Sequence, residues 1–220
     1  MRRVETSAPG EAGVIRHGDP PLPEHEPTPR RSPSSRVDRA SEEAALSCLN
    51  RGQRDEALKI LMYAYGSRIT QYAARMLRDR ELAKDVRQQV FLKAFQQIDT
   101  FERRGTLLSW LCGIAHHRCL DELKRPATTR REPLDTLEDL AWDSALSESP
   151  SRIAKQRALE RCLGKLQPHL RTQVLMRYFF GLSDAEIGEL VGNTPGAVQR
   201  RVARILPRLR RCLCDEGGTR

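Results

Sequence analysis

Six arginines follow one another closely near the C-terminus, in a stretch that contains no acidic residue. They lie between Leu190 and Cys214, at Arg200, Arg201, Arg204, Arg208, Arg210 and Arg211. Guanidinium groups bind DNA phosphates, and their paired N–H groups match the edge of a guanine base. The alternative is a solvated basic face on a packing helix, which is the commoner meaning of a charge run. We interpret the stretch as a duplex-DNA-binding surface because the elements around it agree.

A helix-turn-helix pattern places these arginines on its second helix. Ser183 and Glu186 form a capping box at the start of the first helix. Gly192 suits a tight turn, and Thr194 with Pro195 suits the start of the second helix. Apolar residues then recur on one face of that helix, at Val198, Val202 and Ile205. The pattern favours insertion of the second helix into the major groove of DNA.

Pro207 lies within the same helix and predicts a kink or an end there. Proline has no N–H group, so it cannot donate a hydrogen bond to the carbonyl of Ala203. The first three turns, which would enter the groove, lie before this proline. The predicted base contacts therefore do not depend on how the helix continues.

The cysteines and histidines raise the question of a metal or redox site. Cys112, His116 and Cys119 recur at helical spacing and share one face, and Cys212 and Cys214 lie near the end of the chain. A structural zinc site normally has four ligands, and no fourth candidate lies on that face. Six cysteines without a Cys-x-x-Cys pair do not predict a disulfide framework. We predict no metal site and expect small apolar side chains, although a redox or metal-sensing role stays open.

The overall composition excludes several classes of protein. The chain carries a net charge of +9, and no stretch approaches the ~20 apolar residues of a membrane-spanning helix. Its first residues contain no apolar signal-peptide core. It has no glycine-rich phosphate loop, His-Glu-x-x-His motif or nucleophile elbow. We expect a cytoplasmic protein that is not an enzyme, needs no cofactor and does not insert into a membrane.

Charge and proline content divide the chain into five segments. Residues 1–40 hold seven of the thirteen prolines and no aromatic residue, so they are predicted to be disordered. Two helical blocks follow, at residues 41–125 and 151–214. Between them, residues 126–150 carry six acids against two arginines and form an acidic linker, and residues 215–220 are a tail.

Apolar residues in the first block recur at steps of three and four, which indicates helices. One such run comprises Leu58, Leu61, Tyr65, Ile69, Tyr72 and Met76. A second helix follows Asp79, and a third runs from about Leu107 to Lys124. No stretch alternates with a period of two, so no sheet is expected. The predicted fold class is all-α, with a helical bundle and a helix-turn-helix domain joined by a flexible linker, after a disordered N-terminal extension.

Three motifs occur in a fixed order along the two blocks. Residues 82–95, which read LAKDVRQQVFLKAF, contain an Asp-x-x-Gln-x-x-Phe pattern, and residues 101–121 begin with FERRGTLLSW. The helix-turn-helix with its lead-in LQPHLR forms the third motif. Together they resemble regions 2 and 4 of the extracytoplasmic-function (ECF) sigma factors of the bacterial sigma-70 family. The resemblance covers about residues 42–125 and 152–213.

The resemblance implies a function, a set of partners and a set of site residues. A sigma factor directs core RNA polymerase to specific promoters and opens the DNA at the −10 element. Its partners would be core polymerase (through the β′ clamp and β flap), promoter DNA and an anti-sigma factor. The implied polymerase contacts are Asp85, Gln88, Gln89, Phe91 and Phe95. The implied −10 contacts are Phe101, Arg103, Arg104, Thr106, Ser109 and His117. The implied −35 contacts are Thr194, Gln199, Arg200, Arg201, Arg204 and Arg208.

Several alternatives stand beside this interpretation. Trp110 is followed by Ile114 at the i+4 step, which favours a core role over DNA contact. The acidic linker is either a soluble tether or a segment threaded through the polymerase cleft. The rival function is a stand-alone helix-turn-helix regulator, with residues 42–125 as a ligand or dimerisation domain. Such a regulator would need neither a clamp-binding helix nor a DNA-melting loop.

Overall fold

The computed structural model describes residues 34–103, 105–125 and 150–217, and these ranges contain helices and no strand. The helices of the first block are α1 (Ser34–Asn50), α2 (Arg54–Leu77), α3 (Arg80–Gln97) and α4 (Leu107–Lys124), with a 3-10 turn at Ile98–Thr100. Those of the second block are α5 (Pro150–Gly164), α6 (Pro168–Leu175), α7 (Asp184–Val191) and α8 (Pro195–Gly217), with a π-helical turn at Met176–Phe180. The all-α prediction is confirmed. None of the described helices is long and apolar enough to cross a bilayer.

Helix α2 forms the centre of the first block, and α1, α3 and α4 each pack against it. Its inward face is fully buried at Leu61, Tyr65, Ile69, Tyr72 and Met76, all of which belong to the predicted apolar run. Leu58, the first member of that run, is only partly buried against the core. The periodicity therefore identifies the buried face of α2 correctly over four turns.

Local capping sets the start of α3. Asp79 has an extended backbone, and its Oδ1 accepts a hydrogen bond from the N–H of Leu82 at 2.9 Å. The preceding Arg78 adopts a left-handed conformation with φ 57°, which ends α2. This turn reverses the chain so that α3 packs alongside α2.

Helix α1 begins at Ser34, inside the segment that the sequence predicts to be disordered. The prediction is therefore wrong for residues 34–40. Asp38 accepts hydrogen bonds from the guanidinium of Arg68 at 2.9 Å, and its carbonyl accepts one from the Tyr65 hydroxyl. These tertiary contacts with α2 stabilise a helical turn that composition alone does not favour.

The sequence predicts either a kink or an end of the helix at Pro207, and the second of these is wrong because α8 runs on past Pro207. The helix is continuous from Pro195 to Gly217. Pro207 has no N–H group to donate to the carbonyl of Ala203, but Ala203 is exposed, so water can bond to that carbonyl instead. Leu209, just beyond the proline, is 7% exposed and continues the buried stripe of the helix, so side-chain packing holds the segment in place.

Candidate nucleic-acid interface

The helix-turn-helix geometry rests on two short-range devices. Ser183 and Glu186 form the predicted capping box, with the Ser183 N–H donating to the Glu186 carboxylate at 2.9 Å. Gly192 ends α7 in the left-handed region, at φ 65°. A side chain at Gly188 would place its Cβ 2.5 Å from the carbonyl oxygen of Asn193, so only glycine fits where the turn crosses α7. These constraints fix the angle at which α8 leaves the turn.

Helix α8 has a buried stripe and an exposed basic face. Val198, Val202 and Ile205 lie in the core. Thr194 caps the helix, because its Oγ1 accepts a hydrogen bond from the N–H of Ala197 at 3.3 Å. The other residues predicted to contact the −35 element lie away from the core: Gln199, Arg200, Arg204 and Arg208 are exposed, and Arg201 is half-buried.

The exposed arginines of α8 are available for anions. Within the described residues, Arg200, Arg204 and Arg208 form no ion pair with a carboxylate. An unpaired guanidinium on a rigid helix can donate to phosphate or to base edges without first losing an acidic partner. The face can therefore bind duplex DNA.

The second candidate surface surrounds the first turns of α4, where the residues predicted to contact the −10 element lie. Thr106 and Ser109 form a capping box, and Ser109 is only 7% exposed. The Glu42 carboxylate of α1 accepts a hydrogen bond from the N–H of Leu107. Burial raises the pKa of Glu42, and this backbone bond opposes the rise. The hydroxyls of Thr106 and Ser109 thus position α4 in this conformation.

Aromatic and basic residues complete this surface. The rings of Phe101 and Trp110 are 5.7 Å apart, and both are half-buried against the core. Arg103 has a left-handed backbone at φ 59° and donates to the Asn50 side chain. His117 is exposed, with Nδ1 2.8 Å from the carbonyl oxygen of Gly113. Arg104, the remaining predicted contact, lies outside the described residues.

Helix α7 of the second block lies against this surface. The tip of the Leu190 side chain is 2.8 Å from the position that a Cβ on Gly113 would occupy. Leu190 also lines a shallow cavity with Trp110, Gly113 and His117, and with Glu189 it lines a second one beside Phe101. The second block therefore covers part of the candidate −10 surface.

Buried polar contacts join the two blocks elsewhere. The Arg75 guanidinium of α2 donates to the Glu160 carboxylate of α5 at 2.8 Å, and its Cζ lies 4.7 Å from the ring centre of Phe179. Burial raises the pKa of Glu160, and the charge and hydrogen bond of the neighbouring Arg75 partly offset this rise. Sequence reasoning missed this pair, because its members are 85 residues apart.

Arg171 is the most connected side chain of this contact. Its guanidinium donates to two carbonyls at the end of α5, those of Leu163 and Gly164, and to that of Leu166 just after it. It also donates to two carbonyls at the end of α2, those of Arg75 and Met76. Burial lowers the pKa of Arg171, with the nearby Arg78 adding to the effect. One cation thus satisfies the terminal carbonyls of helices from both blocks.

The α3 surface predicted to contact polymerase is only partly accessible. Asp85, Gln88 and Phe95 are exposed and Gln89 is half-buried. Phe91 is 4% exposed and packs in the core, 3.9 Å from where a Cβ on Gly66 would lie. We therefore leave Phe91 out of the surface. Leu92, which is not among the predicted contacts, is 59% exposed. It lies two residues after the buried Val90, and this helical spacing, about 200° from the core face, was the available signal.

The cysteines behave differently in the two blocks. Cys112 and Cys119 are buried, and burial raises the pKa of both thiols. His116, on the same face, is also buried, and burial lowers its pKa to about 4. No metal-binding cluster of His, Cys, Asp or Glu occurs among the described residues. Cys162 and Cys212, in contrast, form a disulfide, so the expectation of only small apolar thiols is wrong for this pair.

Comparison with known proteins identifies both blocks. The family described as Sigma-70 region 2 matches residues 61–129, and that described as Sigma-70, region 4 matches residues 156–209. Among curated relatives, the ECF RNA polymerase sigma factor SigK of Mycobacterium ulcerans is 26% identical, over 77% of this chain and 92% of the relative. The RNA polymerase sigma factor CarQ of Myxococcus xanthus is 29% identical, over 72% and 90%.

The fold also matches a solved structure. The sigma factor RpoE of Bartonella quintana, determined in complex with the anti-sigma factor NepR, superposes with a TM-score of 0.57. The two chains are 17% identical, and the match covers 74% of this chain and 98% of the other. This similarity concerns the fold.

Proposed function

We infer that this chain, which belongs to the ECF class of the sigma-70 family, is a dissociable sigma subunit that directs core RNA polymerase to promoters. The observation that carries this function is the occurrence of both family regions, in order, in one chain. A stand-alone regulator is less well supported, because its first block would be a ligand-binding or dimerisation domain, whereas the first block of this chain matches Sigma-70 region 2. The subunit carries no catalytic function of its own.

We assign separate tasks to the two blocks. Helix α8 reads the −35 element through Gln199, Arg200 and Arg204, the exposed positions early in the helix. Arg201 and Arg208 contact mainly phosphate, which adds affinity without sequence preference. The surface around Phe101, Arg103, Arg104, Thr106, Ser109 and His117 binds the −10 element. Thr106 and Ser109 already cap α4, and Ser109 is buried, so its part there is to position the helix, whereas the exposed Thr106 can also contact DNA.

Core polymerase binds the exposed face of α3. Asp85, Gln88, Gln89 and Phe95 supply polar and apolar contacts, and the exposed Leu92 extends this face. Exposed apolar side chains next to polar ones are typical of a protein–protein interface. An anti-sigma factor is a further proposed partner, since the matched RpoE was determined with one.

Promoter binding requires the two blocks to separate. Leu190 and Glu189 of α7 lie against the surface that would hold the −10 DNA. The packed arrangement described above is therefore the form that is not bound to a promoter. Core polymerase would shift the population towards the separated form by binding it more tightly.

Run-off transcription with purified core polymerase tests the function. The chain should direct a discrete transcript from a genomic promoter library, and it should shift a promoter fragment only when core polymerase is present. A stand-alone regulator would shift the same fragment by itself and would add no transcript.

A further inference from the structure

The disulfide between Cys162 of α5 and Cys212 of α8 has one sulfur that solvent can reach. Cys162 is 1% exposed, whereas Cys212 is half-buried at the edge of the block. Thiol–disulfide exchange requires the incoming sulfur to touch the one that it attacks. A small thiol or disulfide from solution therefore reacts at Cys212, and Cys162 is the inner partner.

A cation lies beside the sulfur of Cys212. The ammonium group of Lys165 lies 3.6 Å from Cys212 Sγ and 2.8 Å from the Glu216 carboxylate. The Arg161 guanidinium also pairs with Glu216, at 2.6 Å. A cation beside a cysteine lowers the free energy of the thiolate, which is both the attacking and the leaving species in exchange. Lys165 thus activates the accessible member of the pair.

The other cysteines do not form a competing disulfide with α5. Cys48, Cys112 and Cys119 are buried in the first block. Cys214 is exposed, but it lies two residues after Cys212 on α8 and so projects about 200° away around the helix. It therefore points away from α5. The protein disulfide that forms on oxidation is therefore Cys162–Cys212.

The position of the disulfide along α8 gives it a mechanical effect. Pro207 removes a backbone hydrogen bond in the middle of the helix, so the segment 208–217 depends on contacts with the rest of the block. The disulfide and the ion pair of Glu216 with Arg161 tie that segment to α5, and a second ion pair of Glu216 ties it to Lys165 in the turn after α5. The segment carries Arg208, Arg210 and Arg211, all exposed.

We propose that Cys162 and Cys212 are a reversible thiol–disulfide site that controls how firmly the C-terminal half of α8 is held for DNA binding. In the oxidation, the Cys212 thiolate attacks a low-molecular-weight disulfide, RSSR, to give a mixed disulfide and one RS⁻. Cys162 then loses its proton and attacks the Cys212 sulfur, which expels the second RS⁻. The net reaction converts two cysteine thiols and RSSR into the protein disulfide and two RSH.

The chemical part of the proposal is tested without any functional assay. The full chain is equilibrated in glutathione buffers of varied ratio, alkylated, and analysed by mass spectrometry. The pair Cys162–Cys212 should oxidise as a unit, while the buried Cys48, Cys112 and Cys119 stay reduced and the exposed Cys214 forms only a mixed disulfide with glutathione. Lys165→Met should slow oxidation at pH 7 about threefold to tenfold, and the control Lys155→Met, at an exposed position on α5, should not. Oxidation of another pair first, or equal rates for both variants, would overturn the assignment.

The regulatory part rests on the proposed function and has its own measurement. Holoenzyme affinity for a promoter fragment should fall about fivefold on reduction, with a shallower dependence on salt, because the phosphate contacts of segment 208–217 weaken. Cys162→Ser with Cys212→Ser should show the reduced affinity under all redox conditions, and Cys214→Ser should respond like the wild type. Unchanged affinity after verified reduction would overturn the regulatory role. Absence of any promoter-specific complex would instead refute the proposed function and leave the alkylation result standing.

Discussion

Replacement of Glu160 by Gln should destabilise the packed arrangement of the two blocks by about 2–3 kcal/mol. Breaking a buried ion pair typically costs about 3–5 kcal/mol, because the remaining charge has no partner. Glu160 is 7% exposed and the Arg75 side chain 13% exposed, so this pair is buried. Arg75 keeps its stacking on Phe179 and a hydrogen bond to Gln71, which places the loss below the usual range. A change of this size alters the ratio of packed to separated chains by roughly 30- to 150-fold.

Urea unfolding followed by circular dichroism measures the loss, and small-angle scattering reports the separation as an increased radius of gyration. Glu56→Gln is the matched control, since its pair with Lys59 is exposed and worth at most about 0.5 kcal/mol. Arg75→Met combined with Glu160→Met should recover most of the stability, because no unpaired charge remains. If Glu160→Gln costs no more than Glu56→Gln, the reasoning from burial is wrong.

The other predictions concern DNA, polymerase and pH. Arg200→Ala should cost ~1–3 kcal/mol in promoter binding and relax preference at one base pair, whereas Arg208→Ala should weaken all sequences alike and lower the salt slope by about one; equal effects on cognate and random DNA would contradict this division. Asp85→Ala with Gln88→Ala should abolish holoenzyme formation at an unchanged melting temperature, and native assembly by this variant would exclude the α3 face. Burial lowers the pKa of His116 from 6.5 to about 4, so its contribution to stability is complete above pH 6.5 and is lost as the pH falls through 4. That contribution is about 3 kcal/mol, and unfolding at pH 7 and pH 4 should show a smaller acid loss for His116→Gln than for the wild type.

Features that depend on neighbouring residues could be predicted from the sequence. The capping box at Ser183, the turn at Gly192 and the start of a helix after Asp79 all occur where the sequence indicates. Each involves residues within a few positions of one another, so the local pattern contains the information. The exposed arginines of α8 follow similarly from the apolar stripe on its other face.

Features that depend on distant partners could not be predicted. The start of α1 depends on Arg68, which lies 30 residues after Asp38. The disulfide joins cysteines 50 residues apart, and nothing in either local sequence marks the partner. Phe91 shows a different limit: its place in a recognised motif suggested a contact residue, whereas packing against α2 makes it part of the core.

The spacing between Arg125 and Pro150 has a consequence for promoter geometry. Twenty-four residues join the ends of the two blocks, and a chain of that length reaches at most about 85 Å when fully extended. The two promoter elements are separated by about 25 base pairs, which is also about 85 Å along straight duplex. The fully extended length of the linker is thus close to the distance between the −35 and −10 elements. Lengthening the linker should ease the joint binding of both elements, because a linker held near its full contour length loses most of its conformational freedom. Removing several residues should instead select for promoters with shorter spacers or with bent DNA between the elements.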